Sequence, residues 1–263
     1  LYPYSYIFKY ISIIMVTVLF GRVRLLLDLR ISRVSGATCT GSPDCRVSGA
    51  SVTDRNLLRS LSGKKRPGIK RKEESMEAKE LINFLGKAEK LKSVPRHCVT
   101  SDGVVENVAA HSWRLALMAF LLKDELGEIN IDRVIRMCLV HDLGEAVTGD
   151  IPTFEKTEEH EEIEKLAMDG LLRELPEPLY QELHAMFEEM EALQTKEARV
   201  YKALDKLEAV IQHNQSDIST WLPLEYELQK TYAAESVKGF PILEKLQEES
   251  VKETEQKIIA FKK

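Results

Sequence analysis

The chain has 263 residues, of which 44% are hydrophobic and 30% charged, and carries a formal net charge of −5. That composition excludes a wholly disordered chain, a collagen-like repeat and a multi-span membrane protein. Four cysteines are too few for a disulfide-dense scaffold. The charge is unevenly divided. Residues 1–75 hold 14 Lys and Arg against 5 Asp and Glu, a balance of +9, while residues 76–263 hold 23 against 37, a balance of −14. Such asymmetry indicates two parts with different roles or different origins.

The first part opens with an apolar run over 4–20, YSYIFKYISIIMVTVLF, interrupted by Lys9 and followed by Arg22, Arg24 and Arg30. It sits at the lower limit of the roughly 17–25 residues a membrane helix needs. Beyond residue 33 the text turns to Ser, Gly and Thr, then to the basic tract KKRPGIKRK at 64–72. Neither stretch has a helical or strand period, so 1–75 is expected to be a poorly structured extension: an apolar segment with a basic, disordered linker. Three readings compete. The run at 4–20 is a membrane anchor; or the Arg- and Ser-rich, acid-poor segment is an organellar targeting sequence; or it is not native to the protein. The third is favoured, because Met76 opens a plausible natural start directly before the first amphipathic helix. The basic tract is read as a solvated linker, and no nucleic-acid partner is expected. Cys39 and Cys45 lack the further ligands of a zinc site. Four free thiols in a reducing compartment, the cytoplasm, is the preferred reading.

From Met76 onward the pattern is helical. Leu81, Phe84, Leu85 and Ala88 mark one face of a helix over 77–91. A uniformly apolar helix over 108–126 is expected to be central, stopped by Gly127. Asp132 is expected to cap the next helix, which carries Val134, Ile135, Met137, Cys138, Leu139 and Val140. Further helices are expected over 157–174, 178–192, 195–215, 224–237 and 241–261, with Pro176 and Pro178 as punctuation. No period-2 run is long enough to predict a sheet. The expectation is therefore a single all-α domain over 76–263.

Polar residues interrupt these apolar helices. His141 and Asp142 end the most apolar short helix, His111 heads the helix over 108–126, and Asp205 lies in VYKALDKLEAVI. Ionisable groups in such settings need partners. Two imidazoles and two carboxylates from three helices can converge in a bundle as a divalent metal site. Adjacent residues on a helix point about 100° apart, so His141 and Asp142 can share an ion only where the helix meets it obliquely. His160, His184 and His213 are read as surface residues.

The ordered set His111, His141-Asp142 and Asp205, in the segments ENVAAHSWRLALMA, HDLGEAVTGDIPT and ALDKLEA, resembles the HD superfamily of metal-dependent phosphohydrolases. Within it, the text is most similar to the HD-domain 5′-deoxynucleotidases, over residues 77–240. The resemblance implies an HD-domain helical bundle, usually homodimeric, that hydrolyses nucleoside 5′-monophosphates to nucleoside and phosphate with a preference for the deoxy form. It implies a metal on His111, His141, Asp142 and Asp205. Mixed N/O ligation suits Mn²⁺, Co²⁺, Fe²⁺ or Zn²⁺ better than Ca²⁺, with Mg²⁺ admitted as well. It also implies that Glu145 is the catalytic carboxylate, that Arg96 holds phosphate, and that Thr148 and Asp150 face the sugar. Lys156 is a weaker phosphate contact.

The chain departs from the family pattern at two positions. His97 stands where close relatives often carry a substrate-stacking Trp, so it is taken as a substrate contact. Ala110 stands where an acid usually precedes the first metal His, which puts the orientation of that His in question. Two other readings stay open: an HD phosphohydrolase acting on another nucleotide or phosphate ester, and a non-catalytic nucleotide-binding module. A membrane partner is expected only if 4–20 is a genuine anchor.

Overall fold

Helix α1 (Ala78–Ala88) begins the described part of the chain, residues 75–262 of a computed structural model. The readings of the apolar run at 4–20, the basic tract at 64–72, Cys39 and Cys45 fall outside the described residues. The Glu80 side chain accepts a hydrogen bond from the Glu77 N–H at 3.1 Å, securing the start of α1. A 3₁₀ turn (Glu89–Lys92) follows, so the single helix expected over 77–91 is two pieces. Phe84 and Ala88 pack inward, but Leu81 and Leu85 of the same predicted face stay exposed.

A hairpin comes next, which the sequence reading did not anticipate. Strands β1 (Pro95–Val99) and β2 (Val105–Asn107) pair antiparallel. Each is too short to show a countable alternation. The signal was the turn: Asp102-Gly103 between them, with Gly103 at φ 79°, where only glycine is unstrained. The fold class remains all-α, with this two-stranded addition.

Helix α2 (Val108–Leu121) is capped by Asn107, whose side chain accepts from the Ala110 N–H at 3.0 Å. It stops before the expected residue 126, and Gly127 lies beyond it in the connection. Helix α3 (Ile131–Val140) is capped by Asn130, not Asp132; Asp132 lies inside the first turn. The short α4 (Glu145–Thr148) is followed by α5 (Glu158–Leu172), α6 (Glu177–Ala192) and α7 (Lys196–Gln215). After a 3₁₀ turn (Ile218–Thr220) come α8 (Glu225–Thr231) and α9 (Pro241–Phe261). Helix α8 is shorter than the 224–237 expected, because the chain turns after Thr231 to bury Ala233 and Val237.

The central helix is α7, not α2. It packs against α2, α3, α6 and α9 and buries Ala198, Ala203, Leu204, Leu207 and Val210 completely. Together with Leu115, Val134, Met137, Met186 and Leu243 these form the main core. Each such Leu or Val contributes about 1.5–3 kcal/mol by leaving water. A second cluster around Leu143, Met168, Leu171, Leu172 and Tyr180 seats α4 against α5. There Gly144 is needed for closeness: a Cβ on it would stand 3.3 Å from the Glu164 carbonyl oxygen. No helix among the described residues is long and apolar enough to cross a membrane.

Candidate active site

Three elements bring four polar side chains to one point. His111 comes from the first turn of α2, His141 and Asp142 from the end of α3, and Asp205 from the middle of α7. His141 Nε2 lies 2.9 Å from Asp142 Oδ2 and 3.7 Å from Asp205 Oδ1. His111 Nε2 lies 3.2 Å from Asp205 Oδ1 and 4.0 Å from Asp142 Oδ2. His141 is the C-terminal cap of α3 and keeps helical backbone angles (φ −56°, ψ −40°), so His141 and Asp142 meet the cluster from the end of the helix.

The tautomers follow from the outer contacts. The Nδ1–H of His141 donates to the Cys138 carbonyl at 2.9 Å, which leaves Nε2 with a free lone pair. That Nε2 is buried and makes no hydrogen bond. The Nδ1–H of His111 donates to the Glu208 carboxylate, and both residues are fully buried. Two imidazole lone pairs and two carboxylates facing one point, with one nitrogen unpartnered, fit a divalent cation of the N/O-preferring kind.

The charges agree. Burial opposes ionisation of Asp142, but the imidazoles of His141 and His111 hold it down to about 2. Asp205 is likewise held well below the carboxylate range: burial works against its charge, and Lys202 and His111 outweigh it. Burial and Arg96 both disfavour a charged His111, yet its bonds to Asp205 and Glu208 raise it to about 9. Without a cation, a proton takes the cation's place between His111 and Asp205.

The hairpin places Arg96 over this cluster. Its Nε lies 3.2 Å from Glu106 on the facing strand, and its Nη1 lies 3.7 Å from Asp142. Burial works against its charge, but Asp142 keeps the guanidinium above its usual range. Glu145, at the start of α4, is pushed up to about 10 by burial and by Asp142 and Asp150. Its Oε2 is buried without a partner. Arg96, His97, Asp142, Glu145, Asp150, Lys156 and Asp205 all line one open cavity. Burial raises Asp150. Glu164 holds Lys156 above the usual lysine range despite its burial. Three predicted residues do not line the cavity: His111 and His141, which are buried behind it, and Thr148, whose hydroxyl donates to the Gly149 carbonyl at 3.1 Å.

A family model described as HD domain matches residues 88–247, which span every candidate residue above. The chain is an HD-domain protein. It is 39% identical over 139 residues to the 5′-deoxynucleotidase HDDC2 of Bos taurus, covering 51% of this chain and 67% of that relative. It is 38% identical over 143 residues to the protein of the same name from Xenopus laevis, covering 52% and 70%. Among solved structures, a predicted metal-dependent phosphohydrolase from Magnetospirillum magnetotacticum MS-1 superposes with a TM-score of 0.61 at 31% identity. It covers 68% of this chain and 95% of its own.

In this HD domain, an answer to the Ala110 departure comes from another helix. Ala110 is exposed, and the carboxylate that orients His111 is Glu208 of α7. Sequence reasoning passed over Glu208, although it follows Asp205 by three residues on an apolar stretch and so shares its face. Glu106, which holds Arg96 and accepts a hydrogen bond from the Cys98 thiol at 2.9 Å, was also missed. His213 is not a surface residue. Its Nε2 lies 2.9 Å from Glu225 Oε1, it is mostly buried, and it lines the same cavity. His97 Nε2 meets the same Glu225 oxygen at 3.2 Å.

Proposed function

We propose that this chain is a metal-dependent phosphomonoesterase that hydrolyses nucleoside 5′-monophosphates, preferring the deoxy form, to nucleoside and phosphate. One observation carries the reading. A buried His, His, Asp, Asp cluster with an unpartnered His141 Nε2 meets a cavity lined by Arg96 and by the buried carboxyl of Glu145. His111, His141, Asp142 and Asp205 would hold a divalent ion, which would lower the pKa of the attacking water and neutralise phosphoryl charge. Mn²⁺, Co²⁺, Fe²⁺ and Zn²⁺ suit these donors.

The chain's own residues do the rest. Arg96 forks onto phosphate oxygens, and its planar guanidinium is set by Glu106 and Asp142. Glu145 orients the attacking water, takes its proton as the new bond to phosphorus forms, and passes that proton to the leaving 5′-oxygen as its bond to phosphorus breaks. Asp150 faces the sugar from the cavity wall and accepts from the 3′-hydroxyl; Lys156 adds positive charge nearby. His97 contributes its ring to the substrate wall. Thr148 acts at a remove, by holding the turn at Gly149, whose φ of 80° sets the chain course into Asp150.

The protein is read as a homodimer. Trp113, Leu117, Phe120 and Leu121 form an exposed apolar stripe along α2, spaced as one helix face. We take a second copy of this chain as its occupant, in line with the usually homodimeric family that the sequence resembles. Sedimentation of the full chain should give a dimer, and Trp113→Glu with Leu121→Glu should give a monomer. Cys98 and Cys138 are free and buried, which suits a reducing, cytoplasmic setting.

The activity is tested with the full chain and Mn²⁺ or Co²⁺, measuring phosphate release from dAMP, dTMP, AMP and p-nitrophenyl phosphate. Release from the deoxynucleotides ahead of AMP is expected. Release from no monophosphate would overturn the reading.

A further inference from the structure

The cavity continues well past the cation cluster. Asp205, Ala209 and His213 lie along one face of α7 and all line it. Asp205 and His213 are eight residues apart, so this wall runs roughly 12 Å. Facing it, Glu225, Leu228, Gln229 and Tyr232 present one face of α8 and its C-terminal cap. At the far end, the rings of His97 and Phe154 meet edge to face with centroids 5.3 Å apart, and His213 lies beside His97.

Buried side-chain atoms without hydrogen-bond partners point to what belongs there. Among the described residues these are Arg96 Nε, His141 Nε2, Glu145 Oε2, Glu208 Oε1, Gln229 Oε1 and Gln247 Oε1. The first four belong to the cation and phosphate machinery. Gln247 does not line the cavity, and its amide already donates to the Lys230 carbonyl. Gln229 remains: it is 5% exposed, lines the cavity, and its buried Oε1 has no hydrogen-bond partner. Glu225, one turn earlier, is fully engaged by His213, His97 and the Leu222 N–H. An unpaired buried amide oxygen costs stability, and a ligand in the cavity would complete it.

We infer that Gln229 is a nucleobase-reading residue. Its amide hydrogen-bonds the polar edge of the base, while His97, Phe154 and His213 surround the ring. A primary amide offers an acceptor and two donors side by side, which matches adjacent donor and acceptor groups on a base edge. This assignment rests on the nucleotidase reading above, because phosphate must sit at the Arg96 end for the base to reach Gln229.

The test compares a deoxynucleoside 5′-monophosphate with 2-deoxyribose 5-phosphate, which lacks the base, on the full chain and on Gln229→Met. Methionine keeps the length and removes the amide. The ratio of kcat/KM for dAMP or dCMP to that for 2-deoxyribose 5-phosphate should fall about tenfold in the variant. A ratio that does not move, whether both rates drop together or neither changes, overturns the Gln229 assignment alone. Phosphate release from neither compound by the unsubstituted chain overturns the nucleotidase reading and this assignment with it.

Discussion

Glu208→Gln removes one charge from the site while leaving its shape intact. In the native chain the Glu208 carboxylate accepts the His111 Nδ1–H in a fully buried setting, with Arg114 Nε 3.5 Å from its other oxygen. The carboxylate fixes the ring and strengthens the opposite nitrogen as a donor. Glutamine can still accept the Nδ1–H, so the ring stays in place and only the basicity falls. Outer partners of metal-binding histidines are worth about 10–100-fold in affinity, or about 1.4–2.7 kcal/mol. Glu208→Ala does more. It leaves the buried Nδ1–H unpaired, which adds about 1–3 kcal/mol of lost stability. Competition of the purified chain against a chromophoric chelator for Mn²⁺ or Co²⁺ reads the first effect, and thermal unfolding of the metal-free protein reads the second. If both variants hold the ion as tightly as the native chain, Glu208 does not orient His111 and the account of the Ala110 departure is wrong.

Glu145→Gln should cut phosphate release by about 10²–10⁴-fold while leaving metal affinity in place, because it removes a proton carrier and not a ligand; chelator competition beside the rate assay separates the two. Arg96→Lys should raise KM for the monophosphate and lower kcat less, since lysine keeps the charge but loses the fork. Metal affinity should depend on pH. His111 is raised to about 9, so below that value the ion must displace a proton. Affinity should therefore rise as pH climbs from 7, by up to about tenfold per unit, and level off above about 9. A flat profile between pH 7 and that plateau would show that His111 is not a ligand.

The sequence made the His–Asp cluster legible because its members interrupt apolar helices: His111 ahead of SWRLALMAFLL, His141 and Asp142 after MCLV, Asp205 among alanine and leucine. Residues that support this cluster were harder to see. Glu208 lies in KALDKLEAVI, where a glutamate three residues beyond an aspartate reads as a solvated face; only the approach of α2 to α7 buries it. Glu225 and His213 belong to different helices and meet through tertiary packing, which spacing along the chain cannot show. The hairpin escaped because strands of five and three residues carry too little alternation, although Asp102-Gly103 marked its turn. Helix ends moved for local reasons: Asn130 out-competes Asp132 as a cap because its side chain reaches the Arg133 N–H, and buried Ala233 and Val237 end α8 early.

On the function proposed above, phosphate release depends on one divalent ion held by His111, His141, Asp142 and Asp205. The most direct test strips the full chain of metal with a chelator and titrates Mn²⁺ or Co²⁺ back while measuring phosphate release from dAMP. The native chain should be inactive when stripped and recover as the ion saturates the site, while Asp205→Ala should stay inactive at the same concentrations. Full activity in the stripped chain, or recovery by Asp205→Ala at the native metal concentration, would contradict the account.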